Sequence, residues 1–192
     1  MYARKDIKIA ITGGIGSGKS YVCRLLEEHG ISVYDCDSAA KRLMNESEPL
    51  RNALKGLVGE KAYDHTGRLN KAAVAQFLLK DEANKQAVNA VVHPAVAEDF
   101  ANSQKQWLES AILFESGFYE RVRFDYIICV AAPLEVRIDR ICRRDSISRE
   151  QALQWIDGQM KQEEKTARSN FVIVNDGKED LERQIKDILN KL

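Results

Sequence analysis

The sequence predicts an α/β fold built on a mostly parallel, five-stranded sheet, and two patterns carry that prediction. Five short runs are near-continuously apolar instead of alternating: KIAIT (8–12), ISVYD (31–35), AILFE (111–115), YIICV (126–130) and FVIVN (171–175). Strands covered by helices on both faces have this composition, whereas a strand with one wet face alternates. Helical patterns separate the runs, and strands alternating with helices select the α/β class.

Composition narrows the function classes. A chain of 192 residues with 44% hydrophobic and 30% charged residues can bury one substantial core and carry an appended lobe. The 29 Lys and Arg balance the 29 Asp and Glu, so no global basic field recruits nucleic acid or anionic lipid. No run reaches the eighteen or so apolar residues that a membrane span requires, and no apolar h-region precedes a cleavage site near the start. Cys23, Cys36, Cys129 and Cys142 contain no C-x-x-C pair. Free thiols in a reducing, cytoplasmic setting are therefore expected instead of a zinc site or a disulfide framework.

The first strand runs into the most informative segment, TGGIGSGKS. Gly13, four residues, then Gly18, Lys19 and Ser20 fit G-x-x-x-x-G-K-[ST]. Gly13, Gly14, Gly16 and Gly18 free the backbone of side-chain bulk, so successive N–H groups can wrap a phosphate at the N-terminus of the next helix. Lys19 suits the β- and γ-phosphates of ATP, and the Ser20 hydroxyl suits Mg²⁺. A glycine-rich βα turn with no ligand is the plain alternative. The following helix is expected from about Lys19 to His29, stopping at Gly30 in a left-handed conformation.

The second strand ends in DCDSAAKRL, which places Asp35 and Asp37 at the carboxyl edge of the sheet, where ligands of open α/β sheets gather. They can serve as a catalytic base or a metal-positioning acid; Asp37 or Ser38 can equally cap a helix beginning near Ala39. Some 75 residues then separate strands two and three, too many for one helix, so 38–108 reads as an inserted helical lobe. Within it, His93 before Pro94 suggests a helix boundary. The third strand, AILFE, brings Glu115 to the sheet edge, where it could help to hold water around Mg²⁺.

After the fourth strand, the connection 131–170 is helical and arginine-rich. Arg137, Arg140 and Arg144 recur at spacings of three and four on one helical face. They suit a lid over a triphosphate, or a solvated face balanced by Glu135 and Asp139. Ser148 and Gln151 form a capping box that restarts a helix. The last strand ends at Asn175, where either a base edge is read or a turn begins.

TGGIGSGKS, DCDSAAKRL, the HP pair at 93–94, LFE at 113–115, the arginines of RIDRICRRD, Gln159 and FVIVNDG occur in the order seen in the dephospho-CoA kinase family, which the chain resembles over nearly its whole length. The resemblance implies an α/β P-loop NTPase core of about 6–37, 109–132 and 170–192, an acceptor-binding helical lobe of about 38–108 and a lid of about 133–169, together one kinase domain. It implies ATP-dependent phosphorylation of the ribose 3′-hydroxyl of dephospho-CoA, giving CoA and ADP.

Carried over by position, Gly14, Ile15, Gly16, Ser17, Gly18, Lys19, Ser20 and Tyr21 would bind ATP, with Ser20 on Mg²⁺. Asp37 would be the general base, with Lys19 and Arg140 on the transferring phosphate. Arg144 would be a second lid arginine, and Asn175 would lie near adenine. Asp35, His93 and Glu115 would line the acceptor site. The family implies a small-molecule substrate, no nucleic-acid or membrane partner, and a monomer or weak homo-oligomer.

Five positions depart from the family pattern: Tyr21 for Thr, Cys36 for Ala, Ala111 for Pro, Arg137 for Gln and Asn170 for Asp. Two other readings are another small-molecule kinase of the nucleotide or nucleoside type, and a nucleotide-binding switch. Against the switch, no [NT]-K-x-D run follows an apolar strand.

Overall fold

The computed structural model describes residues 7–192. Five strands, β1 (Ile9–Thr12), β2 (Val33–Asp35), β3 (Trp107–Glu109), β4 (Tyr126–Ala131) and β5 (Phe171–Val174), form one sheet in the order β2-β3-β1-β4-β5. β1 pairs in parallel with β3 and with β4, and β4 pairs in parallel with β5. The chain leaves β1 towards one side and returns to its other side at β4, so the end of β1 is a topological switch point, where open α/β sheets bind ligands.

The helices are α1 (Lys19–Glu28), α2 (Cys36–Glu46), α3 (Glu48–Val58), α4 (Lys71–Leu78), α5 (Glu82–Asn102), α6 (Phe118–Arg121), α7 (Leu134–Asp145), α8 (Arg149–Asp157), α9 (Gln162–Ala167) and α10 (Leu181–Leu189). Among the described residues, none is long and apolar enough to cross a membrane.

The chain divides into two compact units. One takes the described residues up to Tyr34 together with Lys105–Leu192. Its core joins Ile9, Ile11, Ile128, Val130 and Ile173 of the sheet to Val22, Leu25 and Leu26 of α1 and Ile185 and Ile188 of α10. A smaller cluster, Ile138, Ile141, Ala152 and Ile156, ties α7 to α8. The other unit, Asp35–Gln104, contains α2 to α5, with α5 packed on α2, α3 and α4. Leu43, Leu50, Leu54, Val88, Val92, Val96 and Phe100 are buried there.

Four of the five expected strands form where the apolar runs placed them. The third does not. The ladder on β1 is made by Trp107–Glu109, in register Ile9↔Trp107, and continues one step through the Ser110 N–H to the Ile11 carbonyl at 3.0 Å. AILFE follows it as turns, in which Leu113 and Phe114 are buried as neighbours. Consecutive burial does not fit the period of two along a strand, and a three-residue strand ending in an acid is too brief to show in an apolarity pattern.

The Pro94 boundary is also absent, because α5 runs through it. Pro94 lies on the exposed side while Val88, Val92, Val96 and Phe100 share the buried one. Packing of that face outweighs the roughly 3 kcal/mol that proline costs inside a helix. α2 begins at Cys36, three residues ahead of the expected start near Ala39, and its cap is Asp35 in place of Asp37 or Ser38. α1 ends as expected, with Gly30 at φ +78° and its N–H on the Glu27 carbonyl at 2.9 Å.

Asn170 has a local explanation. Its side-chain oxygen accepts the Ile127 N–H at 2.8 Å, while its own N–H donates to the Ile127 carbonyl at 2.8 Å, so it starts the β4–β5 ladder. Aspartate keeps that oxygen. Asn170→Asp is expected to leave the urea midpoint within experimental scatter, whereas Asn170→Ala, which orphans the Ile127 N–H, lowers stability by about 1 kcal/mol in the same titration.

Candidate nucleotide site

The loop between β1 and α1 is shaped by what lies behind it. Gly18 caps α1 in the left-handed region, at φ 89° and ψ 27°, a conformation that a side chain would strain. A Cβ on Gly13 would strike the Val130 carbonyl oxygen of β4, and one on Gly14 the Arg137 guanidinium. On Gly16 it would stand 2.6 Å from the Arg137 carbonyl oxygen and 3.0 Å from Ile141; on Gly18 it would meet the Asn175 amide. Protein fills the space left by each of the four glycines. They bring β4, α7 and the end of β5 into contact with the rear of the loop, a role additional to freeing N–H groups for a phosphate.

Polar contacts complete this backing. Arg140 donates through Nη1 to the carbonyls of Gly16 (3.4 Å) and Ser17 (3.3 Å), and through Nη2 to Asn175 Oδ1 (3.0 Å). Asn175 Nδ2 donates to the Ser17 carbonyl at 3.0 Å, and Asn175 is buried. Both ends of that amide are thus engaged with the loop and Arg140. Ile15 is held on both of its backbone groups: its N–H donates to Gln159 Oε1 at 2.8 Å, and its carbonyl accepts Arg137 Nε at 2.9 Å.

Lys19 Nζ reaches the Gly14 carbonyl at 3.3 Å and Glu109 Oε1 at 3.8 Å. Glu109, at the carboxyl end of β3, is a site residue that the sequence reading missed. Three residues, the last of them an acid, are too few for WLE to register as a strand in an apolarity pattern.

Ser20 and Tyr21 lie on the exposed side of the first turn of α1, with the Arg24 guanidinium over the Tyr21 ring at 5.4 Å. Of the three spaced arginines, Arg137 and Arg140 meet the loop. Arg144 is exposed and pairs with its neighbour Asp145 at 2.7 Å. The expected capping box forms at Ser148 and Gln151, so α8 starts where its sequence signal placed it.

Glu115 lies in the turns after β3. It accepts the Met160 N–H at 3.0 Å and pairs at 2.7 Å with Lys165, which is wholly buried and also donates to the Ala111 carbonyl at 2.6 Å. The Ala111 position thus supplies a carbonyl to a buried ammonium. Cys129 lies on β4 near Lys165, Lys19 and Arg137; burial pushes its thiol up to about 11 against the pull of those three cations.

Within the helical unit, the two acids of DCD separate in role. Asp35 Oδ1 accepts the N–H groups of Asp37 (2.9 Å) and Ser38 (3.1 Å), and Oδ2 accepts the Ser38 hydroxyl at 2.6 Å. Partial burial pushes the Asp35 carboxyl up, but the Ser38 hydroxyl and the two N–H groups, aided by Lys41, outweigh it and hold the carboxyl below its ordinary value. The exposed Asp37 carboxylate makes no hydrogen bond or ion pair among the described residues. His93 is half-buried on α5 in the same unit.

No group of three or more His, Cys, Asp or Glu suited to a metal occurs among the described residues. A Mg²⁺ shared by one hydroxyl, phosphate oxygens and water needs no such group. The accessible Ser20 hydroxyl beside Lys19 fits that donor set.

Removing Glu115 leaves a buried ammonium without its carboxylate. Glu115→Ala is expected to lose about 3 kcal/mol in urea titration, and the double variant with Lys165→Met to recover most of it. Asp35→Ala should lose about 1 kcal/mol at neutral pH. Because the folded carboxyl is depressed, the ionised cap stabilises fully above the ordinary value of 3.8 and loses that effect as pH falls through the folded value. The gap between Asp35→Ala and the parent protein should therefore shrink below pH 4, read by urea midpoints along a pH series.

Comparison with known proteins gives the family and the fold. The family described as dephospho-CoA kinase matches residues 7–180. A dephospho-CoA kinase of Bacteroides fragilis (strain YCH46) is 45% identical over 190 residues, covering 95% of this chain and 91% of the relative. A crystal structure from Thermus thermophilus superposes with a TM-score of 0.83 at 38% identity, covering 98% of this chain and 99% of that one. The dephospho-CoA kinase structure from Campylobacter jejuni shares the fold, with a TM-score of 0.66 at 21% identity over 96% of each chain.

Proposed function

The chain belongs to the dephospho-CoA kinase family, and from that premise we propose how its residues divide the work of ATP-dependent phosphorylation of dephospho-CoA. The reaction class follows from the family: a phosphotransferase of coenzyme A biosynthesis that uses ATP on a small-molecule acceptor. The finer reading is transfer to the ribose 3′-hydroxyl, with about 38–108 as the acceptor-binding lobe, about 133–169 as the lid and a cytoplasmic location. Four free cysteines support a reducing compartment.

Asp37 is the general base. The observation that carries this choice is the division of labour in DCD: Asp35 uses both oxygens to cap α2, while the Asp37 carboxylate has no partner among the described residues. A carboxylate with no other partner can accept the proton of an attacking hydroxyl; one whose lone pairs hold a helix cap is the poorer candidate. Lys19, whose Nζ reaches the Gly14 carbonyl and the Glu109 carboxylate, would turn to the phosphates when ATP binds.

Arg140 and Asn175 hold the Gly16 and Ser17 carbonyls back. The Ile15 and Ser17 N–H groups are engaged by Gln159 and the Gly14 carbonyl, so the other N–H groups of the loop and of the first turn of α1 would meet the anion. Exclusion of water by the lid keeps the γ-phosphoryl for the acceptor. The Ser20 hydroxyl would help to hold Mg²⁺, which when bound would offset the charge of the transferring phosphate. Arg144 joins the lid only by leaving Asp145, and Glu115 and His93 remain candidates for the acceptor lining.

Lys19→Ala should lower kcat/KM for ATP by about a hundredfold or more. Asp37→Asn should cut kcat by a similar factor while leaving the ATP dissociation constant within about twofold. ADP release with dephospho-CoA, AMP or a nucleoside as acceptor, with product masses read in parallel, checks both. Near-normal turnover of Asp37→Asn would remove the base assignment, and preference for another acceptor would remove the substrate.

A further inference from the structure

Arg137 is about 95% buried, at 5% exposure, yet it forms no ion pair with any carboxylate among the described residues. Its neighbours in the same unit are differently placed. Lys165 has Glu115 at 2.7 Å, and Lys19 has Glu109 at 3.8 Å. The acid that acts most on Arg137 is Glu163, which shares with it the lining of a cavity of about 220 Å³ but makes no ion pair with it. One nitrogen, Nε, is fixed on the Ile15 carbonyl. The two terminal nitrogens make no hydrogen bond to the described protein and lie where a Gly14 side chain would be.

A buried charge with no counter-ion is costly, and such charges are ordinarily paired or neutralised. Burial does pull this guanidinium below the ordinary arginine value, against the opposing effect of Glu163 and Cys129. Neutral arginine is not accessible near pH 7, so the charge persists. Cys129 cannot balance it, since its thiol is held at about 11. What remains is a fixed cation directly behind a loop whose other face is built for an anion.

We propose that Arg137 is an additional polyphosphate-recognition residue, whose buried charge is balanced by the phosphates of the bound nucleotide in place of a protein carboxylate. The proposal rests on the reading of the glycine loop as the ATP site. It makes the empty protein electrostatically strained at this point and the nucleotide complex relaxed. Helix α7 therefore contributes twice to the loop: Arg140 through carbonyls at its tip, Arg137 through charge at its base.

The test uses the full chain without acceptor, comparing Arg137→Gln and Arg137→Lys with the parent protein. Gln keeps a donor for the Ile15 carbonyl but removes the charge; Lys keeps the charge and loses the fork. Thermal unfolding of the empty protein and titration with ATP, ADP and AMP are read for each. Arg137→Gln is expected to melt no lower than the parent, to bind ATP about tenfold more weakly, and to lose progressively less on ADP and AMP. Arg137→Lys should restore most of the preference for ATP over AMP.

A purely bracing role would give the opposite pattern. Arg137→Gln would melt several degrees lower, with the ATP-to-AMP ratio unchanged, and that result overturns the inference. If the parent binds ATP no better than AMP, the nucleotide reading of the loop falls and takes this inference with it. If the parent prefers ATP and Arg137→Gln prefers it equally, the inference about Arg137 alone falls.

Discussion

The feature on which the site depends is close packing behind the glycine loop. A peptide backbone binds an anion well only if its N–H groups are already turned outward, and holding them there requires something to engage the carbonyls on the other side. Arg140, Arg137 and the Asn175 amide do this from α7 and the end of β5, within hydrogen-bond distance of Ile15, Gly16 and Ser17. Side chains at Gly14, Gly16 or Gly18 would push these groups away. The loop, the start of the arginine-rich connection and the end of the last strand therefore form one unit of preorganisation, although more than a hundred residues of chain separate them.

Parallel topology makes that convergence possible. β4 and β5 lie beside β1 in parallel, so the segments leaving their carboxyl ends, α7 and the turn at Asn175, emerge at the same edge as the glycine loop. β3, on the other side of β1, delivers Glu109 to Lys19 by the same logic. Sheet order thus turns three chain-distant carboxyl ends into neighbours around one loop and its lysine. The apolar core beneath, from Ile9 and Ile11 to Ile185 and Ile188, fixes the strands on which the arrangement stands.

Much of this is legible in the sequence where a local rule is strong. The loop motif, the Gly30 stop and the Ser148–Gln151 capping box each rest on a few adjacent residues, and each is found where it was expected. Rules that depend on distant partners are less legible. WLE was outweighed as a strand by AILFE because apolarity reports burial, and buried turns are as apolar as strands. Pro94 stays inside α5 because the opposite face is packed against three helices, which no dipeptide rule records. Arg137, Arg140 and Arg144 share a helical period, but a period cannot say that two of them end on backbone carbonyls while the third pairs with Asp145. The separation of Asp35 from Asp37 was equally out of reach, since it depends on which carboxylate meets the first N–H groups of α2.

The electrostatic balance around β4 explains why a reactive group does not arise there. Lys19, Arg137 and Lys165 all act on Cys129, and three cations would ordinarily turn a cysteine into a thiolate. Burial wins instead, because removing a thiolate from water costs more than those charges return, and the thiol stays protonated far above neutral pH. A thiolate at this position would screen the positive field at the root of the loop; a neutral thiol does not. Glu109 and Glu115 temper two of the cations locally, at 3.8 Å and 2.7 Å. The positive charge that remains at the root of the loop comes from Lys19 and from the Arg137 guanidinium, which has no ion pair among the described residues.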